Sequence, residues 1–241
     1  GYNAGANVNF SSGKFDAYGG LNYRNMSFDN EGYTNTRYFG SDSYQRQTST
    51  GEHGPNNIFG RAGFTWRMTE KDEVYANLMG MYGKGEHKNN IIAESGQMNP
   101  DGTYGEPNRR TTRNTSQEGS PRMYNVEMGY THRWSDTHFI DISVGHNSWQ
   151  QRREATYIQE NILLASNDTT RSYQFQDNRN RSDKTEIKLD YQYKINDNHR
   201  IEAGYKGDFA NDNSPVLTYN DEAHEIPDEK LYNEFHYKQQ T

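Results

Sequence analysis

The sequence predicts an all-β fold, an antiparallel transmembrane β-barrel meander in which about nine strands form part of a larger wall. Three observations predict it. Apolar and polar residues alternate with a period of two over most of the chain, and helical stripes are nearly missing. Tight turns and long polar connections succeed one another in strict alternation. The composition is only 30% hydrophobic, yet it holds 19 Tyr, 10 Phe, 3 Trp and 22 Gly. Disordered chains are poor in aromatics, whereas a sheet with one greasy face and one wet face needs this mixture.

The elements follow in order. Ala4, Ala6, Val8 and Phe10 share one face of a first strand. After the turn Ser11–Lys14, a second strand carries Phe15, Ala17, Gly19, Leu21 and Tyr23. Ile58, Gly60, Ala62, Phe64, Trp66 and Met68 form a third stripe, with Arg61 and Arg67 opposite. The turn Thr69–Glu73 leads to Val74, Ala76, Leu78, Gly80 and Tyr82. Tyr124, Val126, Met128, Tyr130 and Trp134 alternate with Asn125, Glu127 and Thr131. Across Ser135–His138 come Ile140, Ile142 and Val144, opposite Asp141 and Ser143. Ile187, Leu189, Tyr191, Tyr193 and Ile195 oppose Glu186, Lys188, Asp190, Gln192 and Lys194. The turn Asn196–Arg200 gives Ile201, Ala203, Tyr205 and Phe209, opposite Glu202, Lys206 and Asp208. Leu231, Asn233, Phe235 and Tyr237 make the last strand.

The remaining connections, roughly Asn25–Asn57, Glu86–Pro121, Arg152–Asp183 and Asn211–Lys230, read as long polar loops gathered at one end. Leu21, Phe64, Val74, Leu78, Val126, Met128, Ile140, Ile142, Val144, Ile187, Leu189, Tyr191, Ile201 and Tyr205 are expected to face lipid. Arg61, Arg67, Glu127, Asp141, Glu186, Lys188, Asp190, Lys194, Glu202, Lys206 and Asp208 are expected to face a wet lumen. Phe10, Phe15, Trp66, Trp134, Phe139, Tyr193 and Ile195 would mark the periplasmic rim. Tyr23, Phe28, Tyr82, Trp149, Tyr157, Tyr173 and Phe175 would lie near or beyond the outer one.

Other features bound the class. Mean hydropathy is -1.25, and no run of about 20 apolar residues could form a membrane helix. A net charge of -7 argues against a general nucleic-acid partner. Cysteine is absent, as a barrel closed by its own ladder permits. The chain opens in strand-like alternation at Gly1-Tyr2-Asn3, without a signal peptide, and both end strands would be open edges in isolation. The expectation is a fragment of a bigger barrel, with the plug domain and remaining strands outside it.

The opening hairpin GYNAGANVNFSSGKFDAYGGLNYRN (Gly1–Asn25), and the turn segments WRMTEKDEVYANL, HRWSDTHFIDISV and YKINDNHRIEAGY, resemble the outer-membrane β-barrel family of Bacteroidetes, a branch of TonB-dependent receptor-like proteins. The likeness spans essentially the whole chain and rests on texture, with no catalytic signature. It implies a barrel of about 22 strands with an N-terminal plug, of which this chain is the middle of the wall. It also implies the cell outer membrane, gated uptake of a sugar, peptide or metal chelate, and coupling to TonB through an upstream segment. A surface lipoprotein is a further implied partner.

Chemistry of other kinds finds little footing. His132, His138 and His146 lie in one hairpin near Asp136 and Asp141, but extended strands bring such residues together only across strands. Lys206, Asp208 and Asp212, and the segments NDNHR and FANDNSP, lack the ligand order of a calcium loop. No Gly-x-Ser-x-Gly elbow, HExxH pair or phosphate loop is present, so no enzyme, cofactor or metal is expected. The polar connections are rich in Asn, Tyr and Arg, which suit sugars or peptides through stacking and hydrogen bonds. Tyr44, Tyr104, Arg109, Arg110, Tyr157 and Tyr173 are the candidate substrate-facing residues. The alternatives to uptake are a non-transporting adhesin or scaffold barrel, and a soluble carbohydrate-binding sheet protein.

Overall fold

In a computed structural model that describes residues 1–196 and 198–241, the chain is a single antiparallel sheet of ten strands. They are β1 (Tyr2–Ser12), β2 (Phe15–Asn25), β3 (Phe28–Tyr38), β4 (Ser43–Arg67) and β5 (Asp72–Met98). β6 (Tyr104–Ser135), β7 (His138–Leu163), β8 (Asp168–Asn196), β9 (His199–Tyr219) and β10 (Asn233–Gln240) follow. Neighbours in sequence pair as a meander, β3 alone lying off the path against β4. The sheet is open, with β1 paired only to β2 and β10 only to β9 among the described residues.

All nine expected strands are present, and β3 is a tenth. The larger correction concerns the polar connections, which are mostly strand. β5 and β6 run on to a turn at residues 99–103, and β7 and β8 to one at 164–167. Thus β6 is 32 residues long and reaches from Tyr124 to Tyr104, about 65 Å further along the strand than the apolar stripe. Alternation of apolar and polar side chains reveals a strand only where one face is dry, and here both faces are polar. The turn between β8 and β9 includes Asp197, which lies outside the described residues. Tight turns place a residue that tolerates positive φ at the bend: Gly13 at 53°, Gly102 at 81°, Asn167 at 56° and Asp42 at 45°.

Prolines set where the ladders lapse. β2 and β3 share one line and one register against β4, interrupted at Met26–Ser27 opposite Gly54–Pro55. Pro55 has no N–H to give, and the Met26 N–H donates to its carbonyl at 2.9 Å. Pairing of β5 with β6 lapses beside Pro121, and that of β8 with β9 beside Pro215. Pro107 lies at a bulge between β5 and β6. β10 also departs from expectation. Leu231 lies in the preceding turn, and the register sets Phe235 and Tyr237 opposite Ser214 and Asp212, on the polar face.

Two tyrosines cover glycines on facing strands. Tyr18 lies over its partner Gly63, and Tyr75 over Gly129, where an added Cβ would collide with each ring. A ring laid across a glycine fills the gap left by the missing side chain. Gly129→Ala should therefore dislodge Tyr75 and destabilise the sheet by about 1–3 kcal/mol. Gly119→Ala, whose nearest atom is 4.0 Å away, should change much less. Thermal unfolding in detergent micelles, followed by circular dichroism, measures the difference.

Candidate functional site

Directly opposed residues of an antiparallel ladder share a face, so the register assigns every side chain to one side. One row reads Val8, Gly19, Ala62, Leu78, Val126, His146, Thr185 and Phe209 from β1 to β9. All fourteen residues expected to face lipid lie on this side of the sheet. Their apolar surface is left bare: Leu78 is 50% exposed, Met128 53% and Tyr205 61%. From Trp66 to Ile58 the stripe on β4 covers about nine residues, the length of a tilted membrane strand.

Aromatic rings crowd the end of this face nearest the tight turns. Phe10 meets Phe15 at 6.3 Å, and Phe15 stacks on Phe64 at 5.8 Å. Trp134 stacks on His138 at 4.3 Å, and the Tyr193 ring is 4.5 Å from the same imidazole. The three histidines of this hairpin region have separate partners. His132 Nδ1 lies 2.7 Å from Asp72, His138 Nε2 lies 3.0 Å from the Tyr191 hydroxyl, and His146 Nδ1 lies 2.9 Å from the Thr185 hydroxyl. Phe139 differs from expectation: its partner Arg133 shows that it lies on the polar face.

All eleven residues expected to face a lumen lie on the opposite side. Their charges interlock. Lys188 and Lys206 reach Glu186 at 2.5 Å and 2.8 Å, while Lys184 and Lys206 reach Asp208 at 3.2 Å and 3.5 Å. Arg67 bridges Asp16 at 2.7 Å and Glu73 at 3.4 Å, and Thr131 donates to Asp141 at 2.5 Å. Exposed pairs of this kind contribute little stability singly, so their main effect is a wettable wall. Arg61, the other arginine of this face on β4, lies over the Tyr18 ring at 5.9 Å. Where the apolar belt ends, one row of this face turns greasy: Phe59, Met81, Met123 and Trp149 on four successive strands. Sequence reading missed that row, because its members come from segments far apart in the chain.

The six candidate substrate residues do not converge. Tyr44, Tyr104, Arg110 and Tyr173 lie on the continuation of the apolar face, whereas Arg109 and Tyr157 lie on the polar one. Tyr44 is 1% exposed, packed edge-on to Tyr104 at 4.9 Å, and its hydroxyl donates to the Gly105 carbonyl at 2.6 Å. Its ring anchors the tip of the β4–β6 wall and offers no surface to an outside molecule. Arg110 is held by Glu94 at 2.7 Å, and Tyr173 meets His224 at 2.7 Å. Tyr157 lies under Arg113, whose guanidinium is 5.0 Å from the ring.

A buried clamp that the sequence did not signal joins β7 to β8. Asp177, 5% exposed, accepts from Arg152 at 3.0 Å and from Arg179 at 2.7 Å. Burial pushes its carboxyl upward, but the two guanidinium groups overcome this, and the group ionises below the ordinary carboxylate value of 3.8. A depressed value in the folded state means that the stabilisation is complete above about 3.8 and is lost as pH falls through the lower folded value. Asp177→Asn should cost about 1–3 kcal/mol at neutral pH and flatten the acid limb of stability. Thermal midpoints of both proteins between neutral and acid pH provide the measurement.

The model of the outer membrane protein beta-barrel family matches residues 132–241, from the end of β6 through β10. No curated protein matches the chain. Among solved structures, the FpvAI–pyocin S2 complex aligns at 8% identity, covering 99% of this chain and 47% of that one, with a TM-score of 0.28. The translocator domain of the autotransporter NalP from Neisseria meningitidis aligns at 9% identity over 95% and 88% of the two chains, with a TM-score of 0.11. BamA from Haemophilus ducreyi lacking POTRA domains 1-3 gives 10%, 99% and 70%, and a TM-score of 0.12. The chain spans about half the length of the FpvAI-complex chain that it matches. The family match places this antiparallel sheet in the outer membrane of the cell.

Proposed function

We propose that the chain is wall of a gated uptake barrel resembling the TonB-dependent receptors, importing an extracellular sugar, peptide or metal chelate without covalent chemistry. The observation that carries this reading is the contrast between the two faces at the level of the apolar belt. A bare apolar belt bounded by aromatics suits lipid, while the interlocked charges of Glu186, Lys188, Lys206 and Asp208 suit a water-filled lumen or an internal plug. The tight turns then point to the periplasm, and the long hairpin walls project from the cell. On this reading Arg109, Arg113 and Tyr157 line the outer mouth of the lumen, and the mobile plug and the energy-coupling contact to TonB belong to the same transport cycle. A surface lipoprotein capping the mouth is a further proposed partner. The height of the walls also suits an adhesin, which would use the barrel as a fixed scaffold.

Two measurements test the reading. Single cysteines at Asn77 or Lys188 should react with a water-soluble maleimide in membranes, and cysteines at Leu78 or Ile187 should not. The reverse pattern would refute the assignment of faces. Cells deleted for the whole gene should lose energy-dependent uptake of the substrate, and uptake by intact cells should collapse with the proton-motive force. Equal uptake with and without the gene would leave the adhesin.

A further inference from the structure

Just beyond the apolar belt, on the same side of the sheet, lies a shallow cavity of about 460 Å³. Arg122 on β6, Arg152 on β7, and Arg179 and Arg181 on β8 line it with Ser120, Gln150 and Asn213, and no carboxylate is among its lining residues. It occupies the place where the β8–β9 ladder lapses beside Pro215. Arg152 and Arg179 are direct cross-strand partners, an unfavourable arrangement of like charges that, among the described residues, Asp177 alone joins from their own strands.

The nearby carboxylates offset only part of this charge. Asp177 serves both Arg152 and Arg179, Glu154 also contacts Arg152 at 2.6 Å, and Arg181 pairs with Asp183 at 2.6 Å. Arg122 has no carboxylate partner among the described residues. Its guanidinium instead lies 5.3 Å above the ring of Tyr82, its direct cross-strand partner at the upper edge of the apolar belt. A guanidinium poised over an aromatic ring keeps its donors free for an acceptor from outside.

We infer that this arginine-lined cavity binds the phosphorylated headgroup of an outer-leaflet glycolipid, the lipopolysaccharide that surrounds the barrel. The occupant follows from charge and position. Guanidinium forks match phosphate oxygens. The cavity opens on the outside of the wall, continuous with the surface that acyl chains would cover, and a lipid seated on the belt would carry its phosphate to this height. The inference rests on the proposed orientation, with the long walls outside the cell.

The test uses the protein purified in detergent micelles from outer membranes. It is titrated with bisphosphorylated lipid A, with the same lipid stripped of phosphate, and with inorganic phosphate. The phosphorylated lipid should bind about tenfold or more tightly than the stripped one. Arg122→Gln combined with Arg181→Gln should lose about that factor, with partial recovery in the Lys pair. Arg122→Gln alone breaks no carboxylate contact, so it serves if the double variant misfolds. Equal binding of the two lipids, or wild-type binding by the Gln variants, overturns the inference. Full competition by inorganic phosphate overturns the commitment to lipid. Orientation is checked separately with Ser166→Cys at a hairpin tip, labelled on intact cells by an impermeant maleimide. Absence of label there refutes the orientation itself, whereas a labelled tip with phosphate-independent binding refutes this site alone.

Discussion

The pleat of an antiparallel ladder governs this protein. Successive side chains point to opposite sides, so one residue of slip would carry a whole set of charges into the apolar belt. The register holds without shift from β1 to β5, and along β5 to β9 the recorded shifts fall beside turns: Ser95–Met98, Arg133–Ser135 and Lys194–Asn196. Between those ends, Leu78 and Asn77 keep their sides through every neighbouring strand. Everything else about the chain, from the bare belt to the interlocked lysines, follows from that unbroken parity.

The same parity gives the two faces different physics above and below one level. Over the stretch from Trp66 to Ile58, one face is apolar and nearly uncharged, and the other carries most of the ionic contacts. Above it, both faces carry charge, and the sheet is stabilised by cross-strand contacts such as Arg152–Asp177 and Arg110–Glu94. Pro55, Pro121 and Pro215 fall at this transition, each beside a lapse in a ladder. At the β8–β9 lapse the sheet leaves the dent where four arginines gather.

Function in such a sheet is a matter of side and height. On the proposed reading, a residue meets lipid, the lumen or the outside according to its parity and its distance from the aromatic rows. Tyr44 and Tyr157 illustrate the point. Both are tyrosines of polar, Arg-rich segments, yet one is sealed beneath Tyr104 and the other stands under Arg113 on the polar face.

The sequence by itself determined the strands whose two faces differ. Apolar residues at every second position mark a strand unmistakably when one side is dry, and all fourteen expected apolar-face residues and all eleven polar-face residues lie on common sides. It could not disclose β3 or the long polar extensions of β4 to β9, because Thr, Asn, Tyr and Arg on two wet faces leave no alternation to read. Nor could it show that Asp177 is clamped by Arg152 or that Phe59, Met81, Met123 and Trp149 form one row. Those groupings depend on register between strands whose partners lie tens of residues apart, and hydrogen bonding between chains of backbone fixes that register only in the folded sheet.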